Sequence, residues 1–388
     1  MLPERALAPV LATVLAATLM SQSLQLDIAV MPGSVEARIA NALPGSLVAL
    51  VFGNDTGPWS DGQTDVLPEY VAGISLADAQ GLGFVEVHFP VSAGAGFRFV
   101  GQAVALDPAL PLEDPEALRL SSIRHLQIPE RDAEATIIVL FGQSNAEGEG
   151  DTADLPAHLR GPLPDRRTWN ELYSAWQPLT AGVNNTTTYQ PGWCGAEMTL
   201  TEDLKSQLGT GGAVYLVKFA VPATALGPTE GLDWGVESHE LYDELQRRLA
   251  NACQALRGVG LSPRVRGICM MQGENDAYYR GLAGGYRDRL RTLVQRFRAD
   301  LVTARLAEDA AVPFVIGLLD RDLTRAGFPS IEIVRQAQID VAATEPRCAT
   351  VETTGLPLMQ DRVHFATAGL MALGRSLAAA LQRLGMHR

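Results

Sequence analysis

Thr136-Ile137-Ile138-Val139-Leu140-Phe141 is a continuous apolar run, and Gly142-Gln143-Ser144-Asn145-Ala146-Glu147-Gly148 follows it directly. An apolar run without alternation reads as a parallel strand covered on both faces. The glycine-flanked turn that follows hands the chain to a helix. The same pattern recurs downstream. Val214 to Phe219, Gly267 to Met271, Phe314 to Leu319 and Ala349 to Val351 are further strand candidates. Helical patterns lie between and after them. Leu241, Leu245, Leu249 and Leu256 mark one; Tyr286, Leu290, Leu293, Val294, Phe297 and Leu301 mark the next. Ile331, Val334, Ile339 and Val341 mark a third, and Leu370, Leu373, Leu377 and Leu381 the last. Strand–helix alternation predicts an α/β fold, a three-layer α/β/α sandwich around a doubly wound parallel sheet. In such a sheet, chemistry sits at the carboxyl ends of the strands.

Upstream the pattern differs. From Leu26 to about Val104 short apolar runs such as Leu47 to Phe52 and Phe84 to Phe89 alternate with turn clusters such as Gly53-Asn54-Asp55-Thr56-Gly57-Pro58. This predicts a small β-rich domain. Asp107 to about Ala135, rich in proline and charge, reads as a connection. The predicted organisation is therefore an N-terminal segment 1–25, a β-rich accessory domain 26–128 and an α/β domain 129–388. Within the first segment an apolar stretch runs from Ala6 to Met20 behind Arg5. Two readings stay open. One is a secretory signal with a basic start and short apolar core. The other, preferred because Glu4 cancels Arg5, is a helix whose Leu7, Leu11, Leu15 and Leu19 form a stripe. That stripe would dock on a partner or a second copy. The stretch is too short for a comfortable membrane span, which takes about 20 apolar residues.

Composition narrows the function classes. The chain has 388 residues, 47% hydrophobic and 19% charged, which excludes a disordered chain. Its 37 glycines and 23 prolines favour a turn-rich protein. A net charge of −13 and the lack of a Lys/Arg-rich run argue against nucleic-acid partners. The four cysteines, Cys194, Cys253, Cys269 and Cys348, match no metal spacing and read as free or buried thiols. No histidine forms a metal-spaced pair, so neither metal nor other cofactor is expected.

Three segments fall where the predicted strands end. In the first, Ser144 sits in a glycine-flanked strand-to-helix turn, where its own N–H and its hydroxyl face the same way. That suits a nucleophile whose substrate develops an oxyanion; a capping serine is the commoner alternative. The second is Met271-Gln272-Gly273-Glu274-Asn275-Asp276. The Asn275 amide is a candidate oxyanion donor, with a solvated, capped loop as the alternative. The third is Asp361-Arg362-Val363-His364-Phe365. A carboxylate three residues before an imidazole can fold back and hold the ring's Nδ1–H, leaving Nε2 as a base.

Taken in order, these blocks resemble the SGNH (GDSL-type) hydrolase superfamily, in its sialate O-acetylesterase and acetyl-xylan esterase group. The resemblance spans about residues 136–384. It implies a flavodoxin-like sheet and a nucleophile Ser144 with Asp361 and His364. It implies oxyanion donors at Ser144, Gly195 (in Gly192-Trp193-Cys194-Gly195-Ala196-Glu197) and Asn275. Gln143, Gln272 and Glu274 are candidate supports, and whether Asp361 or Glu274 holds the histidine stays open. Trp193, Trp234, Tyr278 and Tyr279 are candidates to stack on a sugar ring, with packing as the commoner alternative.

The expected function is a serine esterase that removes O-acetyl groups from a carbohydrate or cell-surface polysaccharide. An extracellular setting, secreted or on a phage-like particle, is favoured. The rival from another class is a glycan-binding spike, fibre or assembly subunit on an esterase scaffold. A lipid or thioester hydrolase is the weaker third reading.

Overall fold

The structure is a computed structural model of the chain. It describes residues 24–31, 34–53, 70–88, 98–111, 114, 117–129, 133–206 and 213–386. The apolar stripe from Leu7 to Leu19, read above as docking helix or signal, lies outside the described residues. The chain divides into two compact units, residues 1–131 with 210–212, and residues 132–209 with 213–388.

The first unit is built of antiparallel strands. β1 (Gln25–Met31), β2 (Ser34–Ala40) and β5 (Gly83–His88) form one sheet in the order β1-β2-β5. β3 (Leu47–Gly53), β4 (Tyr70–Leu76), β6 (Arg98–Leu106), β7 (Leu118–Leu120) and β8 (Arg124–Gln127) form the other. Period-two alternation supplies a shared core. Leu26, Ile28 and Val30 of β1 meet Val48, Leu50 and Phe52 of β3 and Ala103 and Ala105 of β6 in one apolar cluster. The stretch from Asp107, read as a connection, contributes β7 and β8, which both pair with β6. His125 lies in β8, not in a linker.

The second unit carries a seven-stranded sheet. In chain order its strands are β9 (Glu134–Gly142), β11 (Pro162–Asn170), β12 (Ala175–Thr180), β14 (Val214–Ala220), β15 (Ser262–Met271), β16 (Phe314–Gly317) and β17 (Cys348–Val351). The short pair β10 (Gly150–Asp151) and β13 (Trp193–Cys194) stands apart. The order in space is β12-β11-β14-β9-β15-β16-β17. All neighbours are parallel except β11 and β12 at one edge. The five strands read from the sequence keep the order β14-β9-β15-β16-β17, so the chain reverses direction of winding at β9. Ile137 to Phe141 are all fully buried, as a strand between two helical layers must be.

Among the helices, α1 (Ser144–Glu147) is a single turn. α2 (Glu197–Lys205) and α8 (Thr367–Arg383) pack together on one face of the sheet, where Leu381 lies over Gly267 and Ile138. The other face is covered by α3 (Leu241–Gly258), α6 (Tyr286–Thr303) and α7 (Ile331–Thr344). There the Phe141 ring stacks on Phe297 of α6 at 5.8 Å. Phe297 in turn meets Tyr242 of α3 at 5.9 Å. The remaining helices, α4 (Glu274–Tyr278) and α5 (Arg280–Ala283), follow β15 directly. All four cysteines are free thiols. No helix among the described residues is long and apolar enough to cross a membrane.

β11 was not legible as a strand, because it carries Asp165, Arg166 and Arg167, all buried. Charged residues are ordinarily exposed, so such a run reads as surface.

Gly142 ends β9 with φ at 144°, and a Cβ there would collide with the Met271 carbonyl. Only glycine lets β9 pass into α1 at this separation from β15. Gly142→Ala should therefore cost about 1–3 kcal/mol from backbone strain, before any steric contribution. A lowered urea midpoint at unchanged slope is the expected result.

Candidate active site

Ser144 opens α1 at the carboxyl end of β9 and is buried. His364 lies in the loop from β17 back to α8, and its Nε2 stands 3.0 Å from Ser144 Oγ. Its Nδ1 stands 2.6 Å from Asp361 Oδ2. The other carboxylate oxygen of Asp361 accepts the N–H groups of Val363 at 2.9 Å and His364 at 3.0 Å. Arg362, at φ 59°, makes the tight turn between them. Asp361 is thus aimed by its own turn. Partial burial works to raise its carboxyl, but the hydrogen bonds from His364 and Val363 prevail and hold it below the ordinary carboxylate range.

Two strands separate β17 from β9, so the histidine loop must reach back across the sheet edge. Asn145 fastens it there. Its Oδ1 accepts the Phe365 N–H at 3.0 Å, and its Nδ2 donates to the Val363 carbonyl at 3.1 Å. The same Nδ2 donates to Glu274 Oε1 at 2.9 Å. Glu274 therefore holds Asn145, not the imidazole; Asp361 is the carboxylate on His364 Nδ1. Glu274 is fully buried and its Oε2 has no hydrogen-bond partner. Burial pushes its carboxyl up, and the bond from Asn145 offsets this only in part.

Asn275 is half-buried at the start of α4. Its Nδ2 donates to the Ala223 carbonyl, which leaves one amide hydrogen unused. Its backbone N–H faces Gln143 Oε1 at 3.4 Å. Gln272 is buried and donates to Asp276 Oδ2 at 2.8 Å, while the Tyr286 hydroxyl donates to Gln272 Oε1 at 3.0 Å. Asp276 accepts the N–H groups of Leu226 at 2.7 Å and Gly227 at 2.9 Å. Gln143 and Gln272 are thus framework for the loops around the serine.

Two candidate roles need correction. The Gly195 N–H donates to Glu197 Oε1 at 2.8 Å in the interior, so it is engaged and not offered to an oxyanion. The glycine is required there for another reason, because a Cβ on Gly195 would strike the Glu197 carboxylate and crowd Gly148. Trp234 is 0% exposed, donates from Nε1 to Thr224 Oγ1 at 3.0 Å and packs on Phe141 and Phe219. It is a core residue and cannot meet a sugar. Tyr278 and Tyr279 are half-exposed and set edge to face at 5.0 Å. Trp193 is half-buried in β13.

Sequence reasoning missed a buried ionic cluster behind α1. Lys218 Nζ donates to Glu197 Oε2 at 2.7 Å and to the Glu147 carbonyl at 2.6 Å. The Glu147 carboxylate accepts the N–H groups of Thr187 and Thr188, each at 2.9 Å. A lone lysine in the run Val214 to Phe219 was the available signal. Among the described residues no group of His, Cys, Asp or Glu is arranged to hold a metal ion.

With this geometry in view, comparison with known proteins is decisive on one point. The family described as carbohydrate esterase, sialic acid-specific acetylesterase, matches residues 134–383. The chain belongs to this family. The protein is accordingly an ester hydrolase of the carbohydrate O-acetylesterase class. No curated protein matches the esterase. Among solved structures, a protein from Arabidopsis thaliana shares 23% identity with it, covering 64% of this chain and 98% of its own, with a TM-score of 0.52. NanS shares 17%, covering 66% and 99%, with a TM-score of 0.53. At these identities the likeness shows the fold of the esterase's second unit.

Asp361→Asn removes the acceptor that orients His364 and should lower turnover by about 10³–10⁴. Glu274→Gln keeps an acceptor for Asn145 and should be far milder. Steady-state rates of both variants decide between the two carboxylates. Because the Asp361 carboxyl is held low in the folded state, its stabilisation is complete above the ordinary carboxylate range and is lost as pH falls. The melting-temperature gap between wild type and Asp361→Asn should therefore shrink from about pH 6 to about pH 3.

Proposed function

We propose that the esterase removes acetyl groups from carbohydrate hydroxyls by a serine mechanism. The observation that carries the reading is the unbroken chain from Ser144 Oγ through His364 to Asp361, with contacts of 3.0 and 2.6 Å. Ser144 Oγ attacks the ester carbonyl carbon as His364 Nε2 takes the hydroxyl proton. Asp361 steadies the imidazolium. The tetrahedral oxyanion is held by the Ser144 N–H, which has no intrahelical acceptor in the first turn, and by the remaining Asn275 amide hydrogen. Collapse breaks the bond to the sugar oxygen, which leaves with the proton from Nε2. Water then attacks the acetyl-serine through the same base, and acetate departs.

The exposed pair Tyr278 and Tyr279, which follows Asn275 along the chain, supplies aromatic surface that suits the apolar face of a sugar ring. This favours a carbohydrate ester over a long-chain acyl ester. Neither named relative is described as a particle subunit, and the fibre reading gains no support. Residues 129–388 are proposed as the esterase domain, since all these side chains lie there. The β-rich unit and the segment before it are proposed to engage polymeric substrate or another copy.

Ser144→Ala should abolish acetate release from acetylated sugars and from p-nitrophenyl acetate. Acetate release at the wild-type rate would overturn the mechanism. A chain beginning at Pro129 should hydrolyse p-nitrophenyl acetate as fast as the whole protein. If it is insoluble instead, the first 128 residues complete the esterase's own core.

A further inference from the structure

Glu149 is a carboxylate that neither the fold nor the proposed mechanism uses. It follows the nucleophile helix α1 by two residues, and its Oε1 stands 3.7 Å from His364 Nε2. That is too long for a hydrogen bond, so the Nε2 contact belongs to Ser144 Oγ at 3.0 Å. The Glu149 side chain is 19% exposed. Among the described residues no N–H or O–H donates to it, and no lysine or arginine pairs with it. The contrast with its neighbours is sharp. Glu147 is filled by Thr187 and Thr188, Glu197 by Gly195, Asn185 and Lys218, and Asp361 by its own turn. Glu149 alone in this group presents open acceptor positions, and it presents them at the nitrogen that protonates the leaving group. Burial raises its carboxyl, and the facing charges that add to or offset this are His364, Asp361 and Glu147.

We infer that Glu149 is a specificity residue that accepts a hydrogen bond from the free hydroxyl beside the acetylated position. This deepens the serine-esterase reading and rests on it. The ester oxygen of the leaving group must approach His364 Nε2 to take its proton, and Glu149 Oε1 is next to that nitrogen. In a gauche vicinal diol the second oxygen stands about one hydrogen-bond length from the first. A hydroxyl one carbon from the scissile ester therefore arrives beside Oε1. A carboxylate only accepts, so the group it selects is a donor, and a neighbouring acetyl ester or a bare methylene leaves it desolvated and unpaired. The substrate class is the monoacetylated vicinal diol, as in a partly acetylated sugar or its polyol side chain.

The test is a ratio, in which any general loss of activity cancels. 2-Hydroxyethyl acetate carries the vicinal hydroxyl; propyl acetate, of similar size, lacks it. Wild type should favour the former in kcat/KM by about tenfold to a hundredfold, the range for a charge-assisted hydrogen bond. Glu149→Ala should bring the ratio near unity, and Glu149→Gln, which keeps an acceptor oxygen, should leave it intermediate. Thermal unfolding of each variant confirms the fold. Equal rates for the two esters in wild type, or a ratio untouched in Glu149→Ala, would overturn the inference. Retention of activity by Ser144→Ala would instead overturn the esterase mechanism beneath it.

Discussion

The side-chain amide of Asn145 joins two stretches of chain 220 residues apart, accepting the Phe365 N–H while donating to the Val363 carbonyl. These are the backbone groups on either side of His364. Ser144 and His364 therefore do not meet by the accident of two independent loops. The residue after the serine grips the residues flanking the histidine, and one amide sets both the height and the angle of the imidazole. All of these groups are buried or nearly so, where a lost partner costs the full desolvation of the group left behind. The clasp is correspondingly strict. No other polar side chain of this size supplies one donor end and one acceptor end without charge.

Around the clasp a second set of bonds holds the loops at the carboxyl ends of the strands. The Gln143 N–H donates to the Met271 carbonyl, tying the end of β9 to the end of β15. Asp276 fixes the turn at Leu226 and Gly227, and that turn carries Ala223, whose carbonyl orients the Asn275 amide. Ala223 itself takes φ 58°, a strained value for a residue with a side chain. Strain of this kind persists only where surrounding bonds over-determine the backbone, and here they do.

Much of this was legible in the sequence, for physical reasons that differ by residue. The strands of the central sheet are buried on both faces, so their apolar runs stood out. Ser144, Asn275, Asp361 and His364 were legible because their order and spacing carry chemical meaning. Asp361 and His364 in particular sit three apart, the reach of one turn. What stayed hidden was polar and internal. β11 buries charges that read as surface. Glu197 and Lys218 pair only in three dimensions, as Glu147 meets Thr187 and Thr188, and no spacing rule joins positions so far apart. Gly195 misled because a glycine beside the site can serve its N–H or its lack of a side chain. Here the N–H is taken by Glu197, and the missing Cβ leaves room for the Glu197 carboxylate beside it. Trp234 misled because an aromatic ring in a loop after a strand can face solvent or core, and here it is fully buried against Phe141 and Phe219.

Carboxylates crowd this end of the sheet, and their hydrogen-bond partners separate their roles. Burying a charge is costly unless it is paired and fully bonded. Glu197 meets that condition through Lys218, Asn185 and the Gly195 N–H, and Glu147 through the N–H groups of Thr187 and Thr188 and the Thr188 hydroxyl, so both act as rigid struts at α1. Asp361 meets it through its own turn and the imidazole, so it stays ionised beside His364. Glu274 does not meet it. One oxygen serves Asn145 and the other has no partner among the described residues, and burial pushes the carboxyl up. Glu149 is the remaining case, partly exposed and, among the described residues, without a donor from the protein. A carboxylate left in that condition beside His364 Nε2 is what the proposed reading of a substrate hydroxyl rests on. The same side-chain chemistry thus gives strut, orienter, buried acid and reader, according to how many of its acceptor positions the fold has already filled.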